Sequence, residues 1–510
     1  MTGQDHLLGV DLGAGSLKAT VIDGQGVAKG EAAAPVATSM PRQGWSEQDP
    51  EEWFAAFCDA VPRALAAAGI APDRLRGIGV SAGAHIPVLL DAEDRVVRPA
   101  ILWNDQRSAR EAQELRAESE ALVLRTSLNR PNPTWTLAML KWLGRHEPEA
   151  VRRTKRLFLA KDYLRFRITG DWHSDFSDAI GALMGDVATR GWSPALCRLI
   201  GWPEASLPPL ADPTAIVGQV TPAAARAAGL AAGTPVVAGS NDTTVELFGV
   251  GANRPGQGAI KLATAAVVYL ATEGPEVHPP VSCYPHVIPG MFYCATGTNS
   301  CASAHRWLRD RFFLPGAEAR EATLFAEMDR MAAEIPPGAG GLVFHPYLQG
   351  ERGPHWDPLL RASFIGLTMQ HDRGHFVRAL YEGIAFSVRD LLEAAQRKGL
   401  SFSGFRLMGG GARSATWRQI IADVLGVEIE QPENGDASFG AALVAGIGVG
   451  MFPDHQTAVE RCVRIVGRAR PDAARHRFYS ELFGIYRAAT EGLQPLDHRL
   501  HALLEAGVPA

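Results

Sequence analysis

The chain of 510 residues lacks several things, and each shortage removes a class of function. There is no Cys-x-x-Cys pair. The six cysteines, Cys58, Cys197, Cys283, Cys294, Cys301 and Cys462, are scattered, and even the nearest three lack metal-type spacing. They are expected to be small buried apolar residues in a reducing cytoplasm, not a disulfide framework. No lysine follows a glycine, so a Walker-type phosphate loop is excluded. Positive charge is not in excess: 50 Lys and Arg face 55 Asp and Glu, a formal net charge of -5. That argues against nucleic acid as the main partner. Long apolar runs are missing too. Leu262 to Ala271 and Ala437 to Phe452 are too short or too glycine-rich to span a bilayer. Asp11 interrupts the first apolar run, so no signal peptide is expected.

What the chain has is length and pattern. It exceeds what one core usually supports, so two large domains are expected. With 46% hydrophobic and 21% charged residues it reads as soluble and globular. Leu7 to Val10 suits a buried strand, Gly13 and Gly15 allow a tight turn, and Leu17 to Ile22 runs back. A carboxylate at the end of a buried strand, beside a glycine turn, suits a hydrated metal ion and a phosphate. Asp11 is that carboxylate, and Lys18 could supply a point charge to a terminal phosphate. An ordinary hairpin with Asp11 stabilising its turn fits the same residues.

Ser46 to Ala68 reads as a helix, with Asp49-Pro50-Glu51-Glu52 as its start signal, and Leu75 to Val80 is the next buried strand. Gly77 to Ala82 matches a loose dinucleotide fingerprint, but its glycines lie within a strand and do not open a helix. His85 stands between a glycine turn and another strand, as either a core residue or a ligand contact. Trp103-Asn104-Asp105 would suit a small polyhydroxylated ligand, or a solvated loop. Pro235 to Asp242 repeats the opening pattern of strand, glycine and acid. Gln257 to Tyr269 repeats the hairpin around Thr264, which implies structural duplication with a boundary near Asp242. The loop Phe344 to Asp357 is dense in polar and aromatic groups. Phe405 to Met408 then runs into Gly409-Gly410-Gly411, and Ser414 is placed to cap the helix that follows. Strand, glycine loop and helix start together suggest an anion or nucleotide site. The Gly- and Ala-rich helix from Ser438 to Val449 permits close backbone packing or the approach of a flat ring.

Nearly the whole chain resembles the FGGY carbohydrate kinases, and within them the branch acting on xylulose. The matching stretches are Trp45 to Pro50, Ile101 to Asp105, Lys161 to Arg165, Gly350-Glu351-Arg352 and Gly409 to Ser414 with Trp417-Arg418-Gln419. The resemblance implies an α/β fold of two duplicated actin-like, ribonuclease-H-like domains with a central interdomain cleft. It implies an N-terminal domain over 1–245, a C-terminal domain over 246–490 and a tail over 491–510. ATP and Mg²⁺ are the implied cofactors and a sugar the partner, in the cytoplasm, with no nucleic acid and no membrane; a homodimer is compatible with it. Asp242 matches the catalytic base and Asp11 the acid serving the metal-bound phosphates. Gly13, Ser16, Lys18, Thr264, Gly409, Gly410 and Gly411 match the nucleotide-binding positions. Ala84 and His85 match the sugar-contacting pair, with Asn104 and Asp105 in the adjoining loop.

The chain departs from the family at identifiable points. Ala14 and Gly15 replace the usual Thr-Ser of the first phosphate turn, and Ala263 and Ala265 flank Thr264 in the second. Gly83-Ala84 stands where Gln-Met usually precedes the histidine, and Thr243 replaces an Asn. The expected activity is transfer of the ATP γ-phosphoryl group to a primary hydroxyl of a ketopentose such as D-xylulose, giving the 5-phosphate. Another pentulose, hexulose or polyol is the alternative substrate. An actin- or chaperone-like ATPase and a catalytically weak sugar-binding relative are the rival classes.

Overall fold

The computed structural model describes residues 5–313 and 321–507; residues 508–510 of the expected tail lie outside the described residues. The chain divides into two compact units. The first comprises 1–253, 272–294 and 434–463; the second comprises 254–271, 295–433 and 464–510. The chain thus crosses between units more often than a single boundary near 245 provides for.

In the first unit β1 (His6–Leu12) and β2 (Ser16–Asp23) form the expected hairpin, and β3 (Ala28–Pro35) continues it. Helix α1 (Pro50–Ala68) begins where Asp49 accepts a hydrogen bond from the Glu51 amide, and Gly69 ends it in the left-handed region. Its Trp53, Phe57, Val61 and Leu65 are buried in the core that covers one face of the sheet. Then follow β4 (Leu75–Ala82), α2 (Ala160–Thr169), α3 (Phe176–Gly181), β5 (Ile216–Gln219), β6 (Pro235–Val237) and α4 (Asp242–Gly249). The sheet order is β5-β6-β4-β1-β2-β3, with β1, β4 and β6 parallel and the rest antiparallel to their neighbours. Pro235–Val237 therefore completes the first sheet. The reading of that stretch as the start of a repeat is corrected: a short apolar strand before a glycine and an acid is common to both halves.

In the second unit β7 (Gln257–Leu262) and β8 (Ala266–Thr272) repeat the opening hairpin, followed by α5 (Ala302–Leu308), α6 (Arg373–Gln396), β9 (Gly404–Met408), α7 (Ala415–Leu425) and β10 (Ile429–Pro432). After β10 comes α8 (Ala437–Gly448), which belongs to the first unit, and then β11 (Ile465–Ala469) and α9 (Ala473–Glu505) return to the second. Five strands run in the order β8-β7-β9-β10-β11, antiparallel at both ends and parallel between. That is the pattern of β2-β1-β4-β6-β5, so the duplication expected from the sequence is present in strand order and direction.

Helix α8 lies on the first unit's sheet so closely that side chains are excluded. A Cβ on Gly9 would come within 1.8 Å of the Ser438 carbonyl oxygen, and one on Gly79 within 2.1 Å of the Ala441 oxygen. On the helix itself, a Cβ at Gly440 would meet the Val245 carbonyl of α4 at 1.9 Å. Of the two roles open to this small-residue helix, close backbone packing is the one observed. All six cysteines are unpaired thiols, and only Cys58 is not fully buried. Among the described residues no helix is long and apolar enough to cross a membrane.

Candidate active site

The first unit gathers its acids at the end of β1 and at the starts of α8 and α4. Asp11, near the end of β1, stands opposite Lys18 across the antiparallel pair and opposite Ser81 across the parallel one. Ser81 is fully buried and donates its hydroxyl proton to Asp11 Oδ1 at 2.8 Å. Burial pushes the Asp11 carboxyl up to about 8, and the neighbouring charges of Asp242, Glu246 and Asp436 add to the rise. Lys18 is paired with Asp436 among these acids, and the mutual repulsion that still lifts Asp11 is one that a hard divalent ion would relieve. The oxygen donors of these acids suit Mg²⁺. Among the described residues no three His, Cys, Asp or Glu side chains form a metal cage, so such an ion would draw its other ligands from water and phosphate.

The turn beside Asp11 is held from outside. Gly13 donates its N–H to the Ser16 carbonyl at 3.0 Å, and the Ala14 carbonyl accepts from the Gln48 side chain at 2.7 Å. A Cβ at Gly15 would meet nothing within 4 Å. Lys18 is half-buried and paired, its Nζ 2.8 Å from Asp436 Oδ2 and 3.0 Å from Glu31 Oε1. Burial alone would lower its pKa, but these two carboxylates outweigh that and raise it. Asp436 is anchored in turn, because it caps α8 by accepting from the Phe439 amide and from Ser438 Oγ.

Asp242 opens α4. Its Oδ1 accepts from the Thr243 amide at 2.6 Å and from Thr243 Oγ1 at 3.2 Å. Thr243, which departs from the family's Asn, therefore serves the acid itself. The N-cap is Asn241, whose Oδ1 accepts from the Thr244 amide and hydroxyl.

The four residues matched to sugar contacts have different surroundings. His85 is half-buried with a φ of 70°, a strained value for a residue with a side chain. Its ring stacks on Trp135 with centroids 4.4 Å apart, Nδ1 lies 2.5 Å from the Gly181 carbonyl oxygen, and Nε2 lies 3.3 Å from the Tyr284 hydroxyl. Burial drops its pKa to about 4, so the ring is neutral at pH 7. With Gly181 accepting, the proton sits on Nδ1 and Nε2 is a lone-pair acceptor. Ala84 beside it is half-buried, and the exposed Trp103 stands near Gly83. Asn104 is exposed. Asp105 is buried and engaged by protein: it accepts the Ser46 amide at 2.6 Å and two guanidinium hydrogens of Arg107. Arg107 in turn lies over the Trp45 ring.

The second unit carries the remaining positions. Thr264 is exposed at the β7–β8 turn, which sits on the first residues of α5. Its carbonyl accepts from the Cys301 and Ser303 amides, and its Oγ1 accepts from exposed Arg306 at 3.2 Å. Two of the three consecutive glycines have packing reasons. Gly409 has a φ of +86°, with space for a Cβ only 2.6 Å from the Leu262 carbonyl, and Gly411 is pressed between Leu262 and Trp417. Only Gly410 faces open space. Residues Gly410–Arg413 form a 3-10 turn before α7, so the glycines do not abut that helix. Ser414 caps α7 as expected, and Asp329 accepts from the Ser414 and Thr416 hydroxyls. An acid already occupies that helix start, which disfavours a phosphate there; of the expected anion or nucleotide site, the second alternative is the one this geometry favours. A neutral group such as a nucleoside is the ligand Gly410 could admit.

Comparison with known proteins bears on both halves. The N-terminal domain of the FGGY family of carbohydrate kinases matches residues 6–249, and its C-terminal domain matches 258–449. The chain belongs to the FGGY family of carbohydrate kinases. It is 34% identical to the xylulose kinase of Escherichia coli (strain K12) over 498 residues, 96% of this chain and 99% of that one. To the xylulose kinase of Bacillus subtilis (strain 168) it is 32% identical over 485 residues, covering 94% and 96%. The crystal structure of xylulose kinase from Rhodospirillum rubrum superposes with a TM-score of 0.88 at 30% identity, covering 97% of this chain and all 100% of that one. The gluconate kinase from Lactobacillus acidophilus, at 22% identity and a TM-score of 0.85, shares the fold.

As an FGGY kinase the chain is an ATP-using carbohydrate kinase of two α/β domains, each built on a mixed sheet. Several residues of its site were not found from sequence. Ser81 lies in strand β4 as any serine might, Asp436 lies 418 positions from its partner Lys18, and Trp135, Gly181 and Tyr284 meet His85 only in the fold. Glu246 carried a signal, since it lies four residues after Asp242 on the same helix face.

Proposed function

We propose that this FGGY kinase phosphorylates a ketopentose, D-xylulose first, at its terminal primary hydroxyl. Asp242 is the general base and Asp11 the acid that serves the metal-bound phosphates. The observation that carries the assignment is the pairing of Asp11 with Asp242: two acids from separate elements are close enough for one charge to raise the other's pKa. The whole-length likeness to xylulose kinases supports the sugar.

Asp242 would accept the hydroxyl proton as that oxygen attacks the γ-phosphorus, a role worth about 10²–10⁴-fold in rate. Its hydrogen bonds from Thr243 fix the carboxylate's orientation. His85, neutral and accepting at Nε2 where the Tyr284 hydroxyl stands 3.3 Å away, would accept a hydrogen bond from a substrate hydroxyl at that edge, which favours a neutral polyhydroxylated ligand. Mg²⁺, bound through Asp11, would neutralise charge on the phosphates. On the first unit, Lys18, Ser16 and the turn at Gly13 would meet phosphate oxygens; Thr264 with Arg306 is the second unit's own phosphate candidate. Gly409 to Gly411 would face the adenosine through the open side of Gly410.

The test is ADP release across pentuloses, hexuloses, polyols and aldonates, with the wild type and Asp242→Asn. D-xylulose is expected to give the highest kcat/KM, and Asp242→Asn to lose at least about a hundredfold in kcat. Asp242→Asn at full rate would refute the base, and a better hexulose or aldonate would refute the sugar.

A further inference from the structure

The link between β6 and α4, residues 238–241, delivers Asp242, and every one of its residues is held by buried protein. The Ala238 carbonyl accepts from Lys161 Nζ at 3.3 Å and from Arg165 Nη1 at 2.6 Å. Gly239 has a φ of +69° and sits so close to β4 that a Cβ would meet the Val80 carbonyl at 2.1 Å. Ser240 donates to Asp175 Oδ2 at 2.8 Å. The Asn241 side-chain amide donates to Ser177 Oγ at 3.0 Å, and Ser177 Oγ is also 3.0 Å from Thr244 Oγ1 and from the Pro285 carbonyl oxygen.

The groups that hold the last two link residues, Ser240 and Asn241, belong to one short helix and its cap. Asp175 is the N-cap of α3, and Ser177 lies in its first turn. Asp175 Oδ1 also faces Lys161 at 3.3 Å, within a buried set that includes Asp162, Arg165 and Asp178. Burial drives the Asp178 carboxyl well above its ordinary range and raises that of Asp175 as well, which eases the excess of acids over Lys161 and Arg165. Such a set stays buried only when its charges are matched. At the far end of the same helix, the Gly181 carbonyl receives His85 Nδ1, and a Cβ at Gly181 would stand 3.4 Å from the His85 ring. Six helical residues span about 9 Å. One end of α3 therefore grips the link to Asp242, and the other fixes the tautomer and place of His85.

We propose that α3, with its cap Asp175 and first-turn Ser177, is a positioning element that sets the proton-accepting carboxylate and the sugar-contacting imidazole at one fixed separation. Ser177, Asp175 and Ser240 are thus positioning residues for phosphoryl transfer. This rests on the reading of Asp242 and His85 given above. A displacement of about 1 Å in a reacting group can cost on the order of a hundredfold in rate, while groups that bind ATP elsewhere are untouched.

The experiment uses Ser177→Ala and Ser240→Ala, which remove one hydroxyl each and leave every buried charge in place. Steady-state kinetics with the best sugar, normalised to the folded fraction, should show kcat about tenfold or more below wild type in each, with KM for ATP within about twofold. Unchanged kcat in both variants, or a loss wholly accounted for by unfolded protein, would overturn the proposal. Asp242→Asn run alongside separates the two levels. If it is inactive while both serine variants are unimpaired, only the positioning role falls. If it is fully active, the assignment of the base falls first.

Discussion

At the scale of single residues, what decides a carboxylate's role is its partner, and the partner is seldom near in sequence. Asp105 reads as a ligand group in a polar loop, but Arg107 and the Ser46 amide fill its oxygens. Glu351 shows the opposite case. Its Oε1 accepts the Asn299 and Arg352 amides at 2.6 and 2.7 Å while its Oε2 is buried without a hydrogen-bond partner, and burial lifts its pKa to about 7. The folded protein therefore holds a proton there that the unfolded chain releases near 4.5, so stability declines as pH rises from about 4.5 to about 7. Glu351→Gln keeps an acceptor for both amides and removes the charge. Its stability relative to wild type is expected to improve between pH 5 and pH 8, by up to roughly 3 kcal/mol. Urea unfolding at the two pH values is the check, and an equal difference at both would contradict the prediction.

At the scale of elements the sequence was readable wherever ends are marked by local chemistry. Asp49 and Gly69 bracket α1, Gly170 ends α2, and Ser414 and Gly426 bracket α7, each through a hydrogen bond or left-handed residue that needs no tertiary context. The glycines of 409–411 were harder, because one residue type serves three ends: a left-handed turn, close packing and open space. Helix α8 was legible as a tight-packing helix but not as to what it packs upon, since Gly9, Gly79 and Gly440 are complementary only after folding. Their contacts are with backbone, which cannot move aside as a side chain can. Gly79→Ala and Gly440→Ala should each destabilise the protein by about 3 kcal/mol or more, at or beyond the usual range for overpacking. Chemical denaturation measures this; a loss under about 1 kcal/mol would show that α8 can lift from the sheet.

At the scale of the whole chain, the duplicated hairpin was visible in sequence, whereas the exchange of segments between units was not. Hydrophobic pattern reports that 437–448 is buried but not on which sheet. Because α8 and the segment 272–294 belong to the first unit, the stretch 1–253 is incomplete by itself. Expressed alone, residues 1–253 should lack a cooperative thermal transition and bind a dye for exposed apolar surface. A sharp two-state melt would show that α8 is dispensable to that fold.

The late arrival of α8 has a consequence for how this enzyme is made. Translation runs at about 5–20 residues per second, so roughly 20–90 s separate the emergence of β1 from that of the helix that roofs it. Throughout that interval a glycine-floored trough of bare sheet travels with the nascent chain. A chain broken or stalled before residue 437 would be released with that trough uncovered, which makes the α8 segment the guard against clumping of the sheet synthesised before it.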